Sequence, residues 1–357
     1  MGSQNTAQLS DEKNFKDPTD VMGPRPQMRR QGWASLNGAW KFTFDDSDVF
    51  REPGDVRDWA KRIVVPFAPE SRLSGINDPG FHKNCWYERE FECAAGEDRV
   101  FLHFGAVDYH ARVWVNGELV GSHEGGHTSF AFEITHALKK EGPQTVTVWA
   151  EDDPHDLAKP RGKQDWQLEP HSIWYPRTSG IWQSVWLERV PRTYIDRIRW
   201  TPHLQRWEIG CEAFIKGDRL KNLELRVRLT AGTQLLADDR YQVIVDEVHR
   251  KIALSDPGID DYRNELLWSP EKPTLIDAAL ELWHDGRCID RVESYTALRS
   301  VAIQKDSFML NGRPYYLRLV LDQGYWPQSL MTAPDAEAFR RDIELTKKMG
   351  FNGVRKH

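Results

Sequence analysis

Hydrophobic and polar positions alternate with a period of two along most of this chain. Trp40, Phe42 and Phe44 fall on one face of a predicted strand, and residues 223–229 alternate apolar and charged side chains. Further short β segments are predicted at residues 63–65, 86–91, 100–104, 111–115, 119–121, 146–150, 182–188, 241–245, 249–254, 278–283 and 288–295. No helical period of convincing length interrupts residues 36–300, so the pattern predicts a mainly β protein built from sandwiches.

The pattern changes in the last fifty residues. Residues 315–321 form a nearly continuous apolar run, which predicts a strand buried on both faces in a parallel sheet. A helix is predicted after it, with Thr332 as the cap of its first turn and apolar residues such as Phe339 at helical spacing. Gly350 is placed to end that helix, and residues 351–355 open a second strand. One such unit cannot close a sheet, so the sequence predicts that the chain stops within a domain.

Four regions follow from these patterns. Residues 1–27 are a flexible lead segment without periodicity, and residues 28–191 form a jelly-roll sandwich. Residues 192–301 restart the strand rhythm over the length of an immunoglobulin-like β-sandwich. Residues 302–357 contain strand, helix and strand.

Charge and composition narrow the classes of function. The formal net charge is −6 and no cluster of Lys and Arg stands out, so neither nucleic acid nor a membrane is expected as a partner. No run approaches the ~20 apolar residues of a membrane span, and the first twenty residues lack the apolar core of a signal peptide. Cys85, Cys93, Cys211 and Cys288 form neither a C-x-x-C pair nor a dense framework, which favours reduced thiols. These features predict a soluble, cytoplasmic protein.

Two short motifs are candidate sites of chemistry. His123-Glu124-Gly125-Gly126-His127 fits H-E-x-x-H, in which two histidines one helical turn apart bind zinc. The spacing works only on a helix, and paired glycines after a strand disfavour one, so a sandwich loop without metal is predicted. Asn264-Glu265 is predicted to be a surface strand end. No motif indicates a cofactor.

Motifs in three successive regions resemble one enzyme family. The first two regions resemble the sugar-binding domain and the following sandwich of family-2 glycoside hydrolases, which include β-galactosidases, β-glucuronidases and β-mannosidases. The third resembles the entry into the (β/α)8 barrel of the same family, which here would be truncated. The motifs are residues 113–117 with 125–126, residues 174–188, residues 267–273, and residues 311–327 with 350–355.

The resemblance implies an enzyme that cleaves terminal β-linked sugars with retention, using two glutamates on later barrel strands. The chain ends before either glutamate, so it is expected to supply binding surface and to be inactive alone. A β-glycoside or oligosaccharide is the expected partner, and a homo-oligomer is compatible with the family. The implied substrate-binding residues are Asp322, Gln323, Arg355 and His357 at two strand ends, and Lys163, Asp165 and Trp166, with Gln164 between them, in a long loop.

A non-catalytic carbohydrate-binding or interaction protein built of β-sandwiches is the second hypothesis. The fifteen tryptophans serve either hypothesis, because their rings can stack on sugars or fill sandwich cores. The helix and strand after Asn311 favour the enzyme, since a freestanding binding module has no use for the first unit of a barrel.

Overall fold

The computed structural model describes residues 25–254 and 265–357. Contacts divide these residues into two units. The first comprises residues 33–188 and 323–342, and the second comprises residues 25–32, 189–322 and 343–357. The predicted lead segment lies outside the described residues as far as Pro24.

The first unit is a jelly-roll sandwich. A four-stranded sheet has the order β1-β12-β5-β9, a six-stranded sheet has the order β3-β2-β4-β10-β7-β8, and β11 pairs with β6. The strands are β1 (Trp33–Ser35), β2 (Gly38–Phe44), β3 (Lys61–Val65), β4 (Asn84–Phe91), β5 (Arg99–Phe104), β6 (Val107–Asp108), β7 (His110–Val115), β8 (Glu118–Glu124), β9 (Phe130–Glu133), β10 (Gln144–Glu151), β11 (Gly180–Ile181) and β12 (Val185–Val190).

Alternation along these strands places the core between the two sheets. Trp40 and Phe42 of β2 are fully buried with Tyr87 of β4, while Leu102 and Phe104 face them from β5. The predicted one-sided face of β2 is therefore confirmed. Burial of such side chains stabilises by about 1.5–3 kcal/mol each relative to exposure, which makes this core the main source of stability.

The predicted two-residue hairpin at Asn116-Gly117 is also confirmed. Both residues have positive φ, 53° and 85°, as a type I′ turn requires between β7 and β8. The Asn116 side chain also makes three hydrogen bonds. Its Nδ2 donates to the Ala137 carbonyl at 2.8 Å and to Gln144 Oε1 at 2.7 Å, and its Oδ1 accepts from the Thr145 amide at 2.9 Å.

Replacing Asn116 by alanine is expected to lower the free energy of unfolding by about 2–3 kcal/mol, because three hydrogen bonds are lost and their partners stay partly buried. Urea unfolding measures this change. Asn222→Ala is the matched control, since Asn222 also has positive φ, at 55°, but is exposed. Equal losses in both variants would show that the turn conformation, and not the hydrogen bonds, carries the effect.

In residues 189–254 and 265–322, which are described and belong to the second unit, the structure contains a seven-stranded sandwich of immunoglobulin-like size. One sheet has the order β13-β14-β17 and the other β16-β15-β18-β19, with apolar residues such as Leu225, Val227 and Leu280 between them. The strands are β13 (Thr193–His203), β14 (Glu208–Gly217), β15 (Leu223–Ala231), β16 (Gln234–Gln242), β17 (Glu247–Ala253), β18 (Ile276–His284) and β19 (Arg287–Thr296).

The sequence predicts the wrong position for one strand of this sandwich. Residues 241–245 were predicted as a strand, but β16 ends at Gln242 and the following residues connect it to β17. Ile244 is 84% exposed, so its apolar side chain does not mark a buried strand face. Three apolar residues in a row resemble a strand locally, whereas the pairing partner decides where the strand ends.

The chain ends in a small antiparallel sheet and one strand-helix-strand unit. β20 (Val301–Gln304), β21 (Ser307–Leu310) and β22 (Arg313–Pro314) form the sheet. β23 (Leu319–Asp322) and β24 (Gly353–Lys356) pair in parallel, and α1 (Ala336–Lys348) lies between them in sequence. The predicted parallel pair and helix are therefore confirmed, and Gly350, with φ 86°, follows the end of the helix.

Two details of this unit differ from the sequence prediction. The run 315–321 is not a strand buried on both faces: β23 begins at Leu319, and Tyr316 and Leu321 are 81% and 52% exposed. A pair of two strands with one helix can bury the side chains of only part of such a strand. Asp335, not Thr332, caps the helix, because its Oδ1 accepts the Ala338 amide at 2.7 Å.

Among the described residues, no helix has the length and apolar character needed to cross a membrane.

Candidate functional site

The strand ends of the second unit bring together part of the predicted site. Asp322 ends β23 and stands in register with Lys356 of β24, and their side chains form an ion pair at 2.9 Å. The His357 amide donates to the Asp322 carbonyl at 2.8 Å. Arg355 stands in register with Leu321 and is exposed. Asp322 and His357 thus meet at one edge of the pair, and Lys356 is the partner that sequence reasoning missed.

Gln323 belongs to the first unit, in the segment that connects β23 to α1. Its Oε1 is buried without a hydrogen-bond partner among the described residues. Tyr325 of the same segment stacks on Tyr175 with ring centroids 4.1 Å apart, and the Thr332 hydroxyl donates to the Trp182 carbonyl at 2.6 Å. The connection therefore packs on the long loop that precedes β11.

That long loop, residues 152–179, carries Lys163, Asp165 and Trp166. Asp165 is buried, and its carboxylate accepts the amides of Gln167 and His171 at 3.0 and 2.7 Å. The same carboxylate contacts His171 Nδ1 at 2.8 Å. These bonds close a local turn, so the Asp165 side chain is already engaged within the loop. Lys163 is half-buried and accepts the Tyr175 amide through its carbonyl.

Trp166 presents an aromatic surface to solvent. It is 39% exposed and packs edge-on against Trp174, with ring centroids 5.2 Å apart. The Arg161 guanidinium lies 5.7 Å from the Trp166 ring centre. A ring held in place by neighbours and open on one side can stack on the C–H face of a sugar.

A buried polar network lies beneath this loop, and sequence reasoning missed most of it. Gln164 Nε2 donates to Asp108 Oδ2 at 2.7 Å, and Gln164 Oε1 accepts the Thr178 amide at 2.6 Å. Arg177 Nε donates to Asp152 Oδ2 at 3.0 Å, and Arg177 Nη2 contacts the same oxygen at 2.5 Å. Gln164 thus joins the middle of the loop to Asp108 of β6, and Arg177 joins the end of the loop to Asp152 at its beginning.

Two acidic groups of this region have raised pKa values. Burial raises the pKa of Glu70 to about 7, although Ser179 donates to it through its hydroxyl at 2.5 Å and its amide at 3.2 Å. Burial, assisted by the negative charge of Asp152, raises the pKa of Asp108 to about 7 as well. Of the two, Asp108 also lines a cavity, and a carboxyl group with a perturbed pKa in such a place is typical of functional sites.

The network surrounds a small cavity of about 20 Å³, whose lining includes Asp108, Asp152, Lys159, Gln164 and Arg177. Such a volume holds about one water-sized oxygen. The sequence does contain an indication of these residues: many charged residues lie in a loop that is too long to be a simple connection.

The H-E-x-x-H stretch is not helical. His123 lies on β8 and contacts the Thr128 hydroxyl at 3.0 Å, while His127 lies in the following turn against Trp182. Among the described residues, no group of three or more His, Cys, Asp or Glu side chains could hold a metal ion. Of the Asn264-Glu265 pair, Asn264 lies outside the described residues, and Glu265 is exposed and paired with Lys272.

Comparisons with known proteins agree with this architecture. The family model described as "Glycosyl hydrolase 2 galactose-binding domain-like" matches residues 75–182, and the model "Glycosyl hydrolases family 2" matches residues 193–299. The two matches together cover more than half of the chain.

Similar curated proteins include a β-galactosidase of Thermoanaerobacter pseudethanolicus, 26% identical over 90% of this chain and 41% of that protein. A β-glucuronidase of Felis catus is 28% identical over 83% of this chain and 49% of that protein. The chain thus spans less than half the length of these two relatives.

A solved structure of β-glucuronidase from Ruminococcus gnavus has the same fold, with a TM-score of 0.73 and 21% identity over 92% of this chain and 55% of that one. β-Glucuronidase from Bacteroides uniformis gives a TM-score of 0.71, with 23% identity over 91% of this chain and 39% of that one. The two matched family domains, in the order in which the sandwiches occur, establish that the chain belongs to glycoside hydrolase family 2.

Proposed function

We propose that this chain is part of a retaining glycosidase that cleaves terminal β-linked sugars. The observation that carries the proposal is the parallel β23–β24 pair with α1, which follows the two family-2 domains. We propose that this pair is the first unit of a (β/α)8 barrel, because such active sites gather at the carboxyl ends of the strands. Relatives named β-galactosidase and β-glucuronidase make β-galactosides and β-glucuronides the first substrates to test, with β-mannosides third.

Within this proposal the predicted residues have separate roles. Asp322, Gln323, Arg355 and His357 would form one part of the rim of the sugar site, with the Arg355 guanidinium available to hold a carboxylate ionised. Trp166 would offer a stacking surface, and Lys163 a positive charge. Asp165 would act indirectly, because its carboxylate is committed to shaping the loop.

Retention requires two carboxyl groups ~5–5.5 Å apart. Residues 319–322 and 353–357 carry one carboxylate side chain, Asp322, and Lys356 already holds it. We propose that the second carboxyl group and the nucleophile are supplied by polypeptide outside this chain. The rival hypothesis of a purely sugar-binding protein would need neither.

The chain alone is expected to give no turnover of nitrophenyl β-galactoside, β-glucuronide or β-mannoside, whereas mixing it with the polypeptide encoded after codon 357 is expected to restore turnover. Initial rates of nitrophenol release measure both. Turnover by the chain alone, lost in Asp322→Asn but kept in the exposed control Asp285→Asn, would place the catalytic carboxylate in this chain and contradict the proposal. Sugar binding without turnover in any mixture would favour the non-catalytic alternative.

We also propose that the protein is cytoplasmic. Its state of assembly, monomer or homo-oligomer, is a separate property. The four cysteines are free thiols, which is the usual state in a reducing compartment. Sedimentation of the purified chain measures its assembly state.

A further inference from the structure

One end of the second sandwich has an open, partly apolar cavity. Its volume is about 350 Å³, within the range of ~300–1,000 Å³ typical of binding pockets in proteins. Ile215 and Leu223, two buried residues of the sandwich core, form part of its wall together with the less buried Leu220 and Val243. The apolar core of the sandwich therefore continues into the wall of this cavity, where another apolar group can contact it.

The connection between β16 and β17, residues 243–246, crosses this end of the sandwich. The amide of its first residue donates to the Leu223 carbonyl of β15 at 2.8 Å, and the carbonyl of its last residue accepts the Ile215 amide of β14 at 2.8 Å. The two residues between them, Ile244 and Val245, also line the cavity and are 84% and 60% exposed. Two adjacent apolar side chains are thus held at the rim of the cavity by a connection that is tied to both sheets.

Four charged residues line the same cavity, two of each sign: Lys216, Asp218, Arg219 and Asp246. Arg219 and Asp246 pair with each other at 3.4 Å, but their side chains are 88% and 67% exposed, so this pair contributes little and can exchange partners. The charges cancel around the cavity, although the formal net charge of the whole chain is −6. A partner that carries charges of one sign therefore gains little here, whereas a partner with the same mixture of charges can match them.

A contact between two copies related by a twofold axis needs a self-complementary surface. In such a contact, a residue i of one copy faces a residue j of the other, and j of the first copy faces i of the second. We call the residues that line the cavity, within 215–223 and 243–246, the cavity patch. Its exposed apolar pair stands beside an apolar cavity that can take the same side chains from another copy, and its basic residues can face the acidic residues of that copy.

We propose that two copies of this chain associate through the cavity patch, with Ile244 of each copy inserted into the cavity of the other. Arg219 of one copy then pairs with Asp246 of the other, in place of the exposed pair within each chain. The contact is small, so the expected dimer is weak and depends on concentration. The proposal concerns assembly and does not depend on the proposed glycosidase activity.

Sedimentation equilibrium of the purified chain over a range of concentrations tests the proposal. The parent chain is expected to show a monomer–dimer equilibrium. Ile244→Asp is expected to weaken dimerisation at least about tenfold, because it places a charge in a partly apolar cavity. Ile343→Asp is the matched control, since Ile343 of α1 is also exposed, at 61%, but lies outside the cavity patch. A parent chain that stays monomeric, or a dimer that is lost in Ile343→Asp and kept in Ile244→Asp, would overturn the proposal.

A charge exchange gives a second test, which a folding defect cannot imitate. Asp246→Lys leaves three basic residues and one acidic residue in the cavity patch, and Arg219→Glu leaves one basic and three acidic. Each variant alone is expected to dimerise at least about tenfold more weakly than the parent at low ionic strength, because like charges then meet across the contact. An equimolar mixture of the two is expected to recover most of the affinity as a mixed dimer.

Asp277→Lys is the control for the change of charge. Asp277 is exposed and stands in register with Thr230, at the other end of β15 from Leu223, so this variant should dimerise like the parent. A mixture that stays as weak as its separate components would overturn the proposal. The same conclusion would follow if Asp277→Lys lost dimerisation to the same extent as Asp246→Lys.

Discussion

Replacing Asp290 by alanine is expected to lower the free energy of unfolding of the second unit by about 3–5 kcal/mol. Asp290 and Arg30 form a two-point ion pair, with Arg30 Nε and Nη2 at 3.0 and 2.9 Å from the two carboxylate oxygens. Their side chains are 3% and 5% exposed. The substitution removes the carboxylate and leaves a buried guanidinium, which is more costly than losing a solvated pair.

The same carboxylate also organises the backbone of the sandwich. Asp290 Oδ2 accepts the Ile195 amide at 2.8 Å, and Arg30 Nη2 donates to the Ile195 carbonyl at 2.5 Å. Ile195 lies where the pairing of β13 with β14 shifts register, so these two bonds satisfy polar groups around the irregularity. The segment before β1 is therefore fastened to the second sandwich by a side chain far away in sequence.

Urea unfolding followed by tryptophan fluorescence measures the effect, with Glu293→Ala as the matched control. Glu293 pairs with Arg29, one residue before Arg30, but the two side chains are 38% and 44% exposed. Exposed pairs contribute about 0–1 kcal/mol, so the control should lose little. Losses of similar size in the two variants would contradict the assignment of the stability to burial.

The stability of the first unit is expected to fall as pH rises from about 4.5 to about 7. Burial raises the pKa of Glu70 from 4.5 to about 7, so the folded state holds a proton that the unfolded state releases earlier. A raised carboxyl pKa favours folding below its unfolded value, and that contribution is lost as pH climbs through the folded value. The Asp108 pKa, also about 7, acts in the same direction. Glu70 alone accounts for roughly 3 kcal/mol over this window.

Glu70→Gln should flatten this part of the profile. Glutamine keeps an oxygen that can accept from Ser179 but carries no charge to bury, so the variant should be more stable than the parent at pH 8 and close to it at pH 4.5. Urea midpoints at pH 4.5, 6 and 8 give the comparison, with Glu92→Gln as an exposed control. A Glu70→Gln variant that loses stability by the same amount at every pH would show that hydrogen bonding, and not ionisation, is what Glu70 contributes.

For much of the candidate site, the sequence indicated only the region of the chain and not the individual residues. The loop around Asp165 and Trp166 was identified by resemblance, but the structure assigns Asp165 to a turn and leaves Trp166 as the exposed surface. Asp108, Arg177 and Glu70 were not found, because each acts through a distant partner. Gln164 is 56 residues from Asp108, and Ser179 is 109 residues from Glu70. No local period or motif spacing reports such pairs.

The sequence by itself determined the features that depend on neighbouring residues. Alternation predicted the two sandwiches, the Asn116-Gly117 pair predicted a hairpin that requires two positive φ angles, and the change of period predicted a parallel unit with a helix that ends before Gly350. These features follow from backbone sterics and from side-chain direction, which a few adjacent residues decide.

Only the tertiary structure decided where strands end, what caps the helix and which polar groups meet. Residues 241–245 look like a strand, yet β16 stops at Gln242; Thr332 looks like a cap, yet its hydroxyl bonds to the Trp182 carbonyl. Gly126 leaves room for the Asp108 carboxylate, and Gln164 reaches that carboxylate from a loop 56 residues further along the chain. The physical reason is that burial and hydrogen-bond pairing are properties of the assembled neighbourhood, and the same side chain is a cap, a linker or a ligand according to what the fold brings next to it.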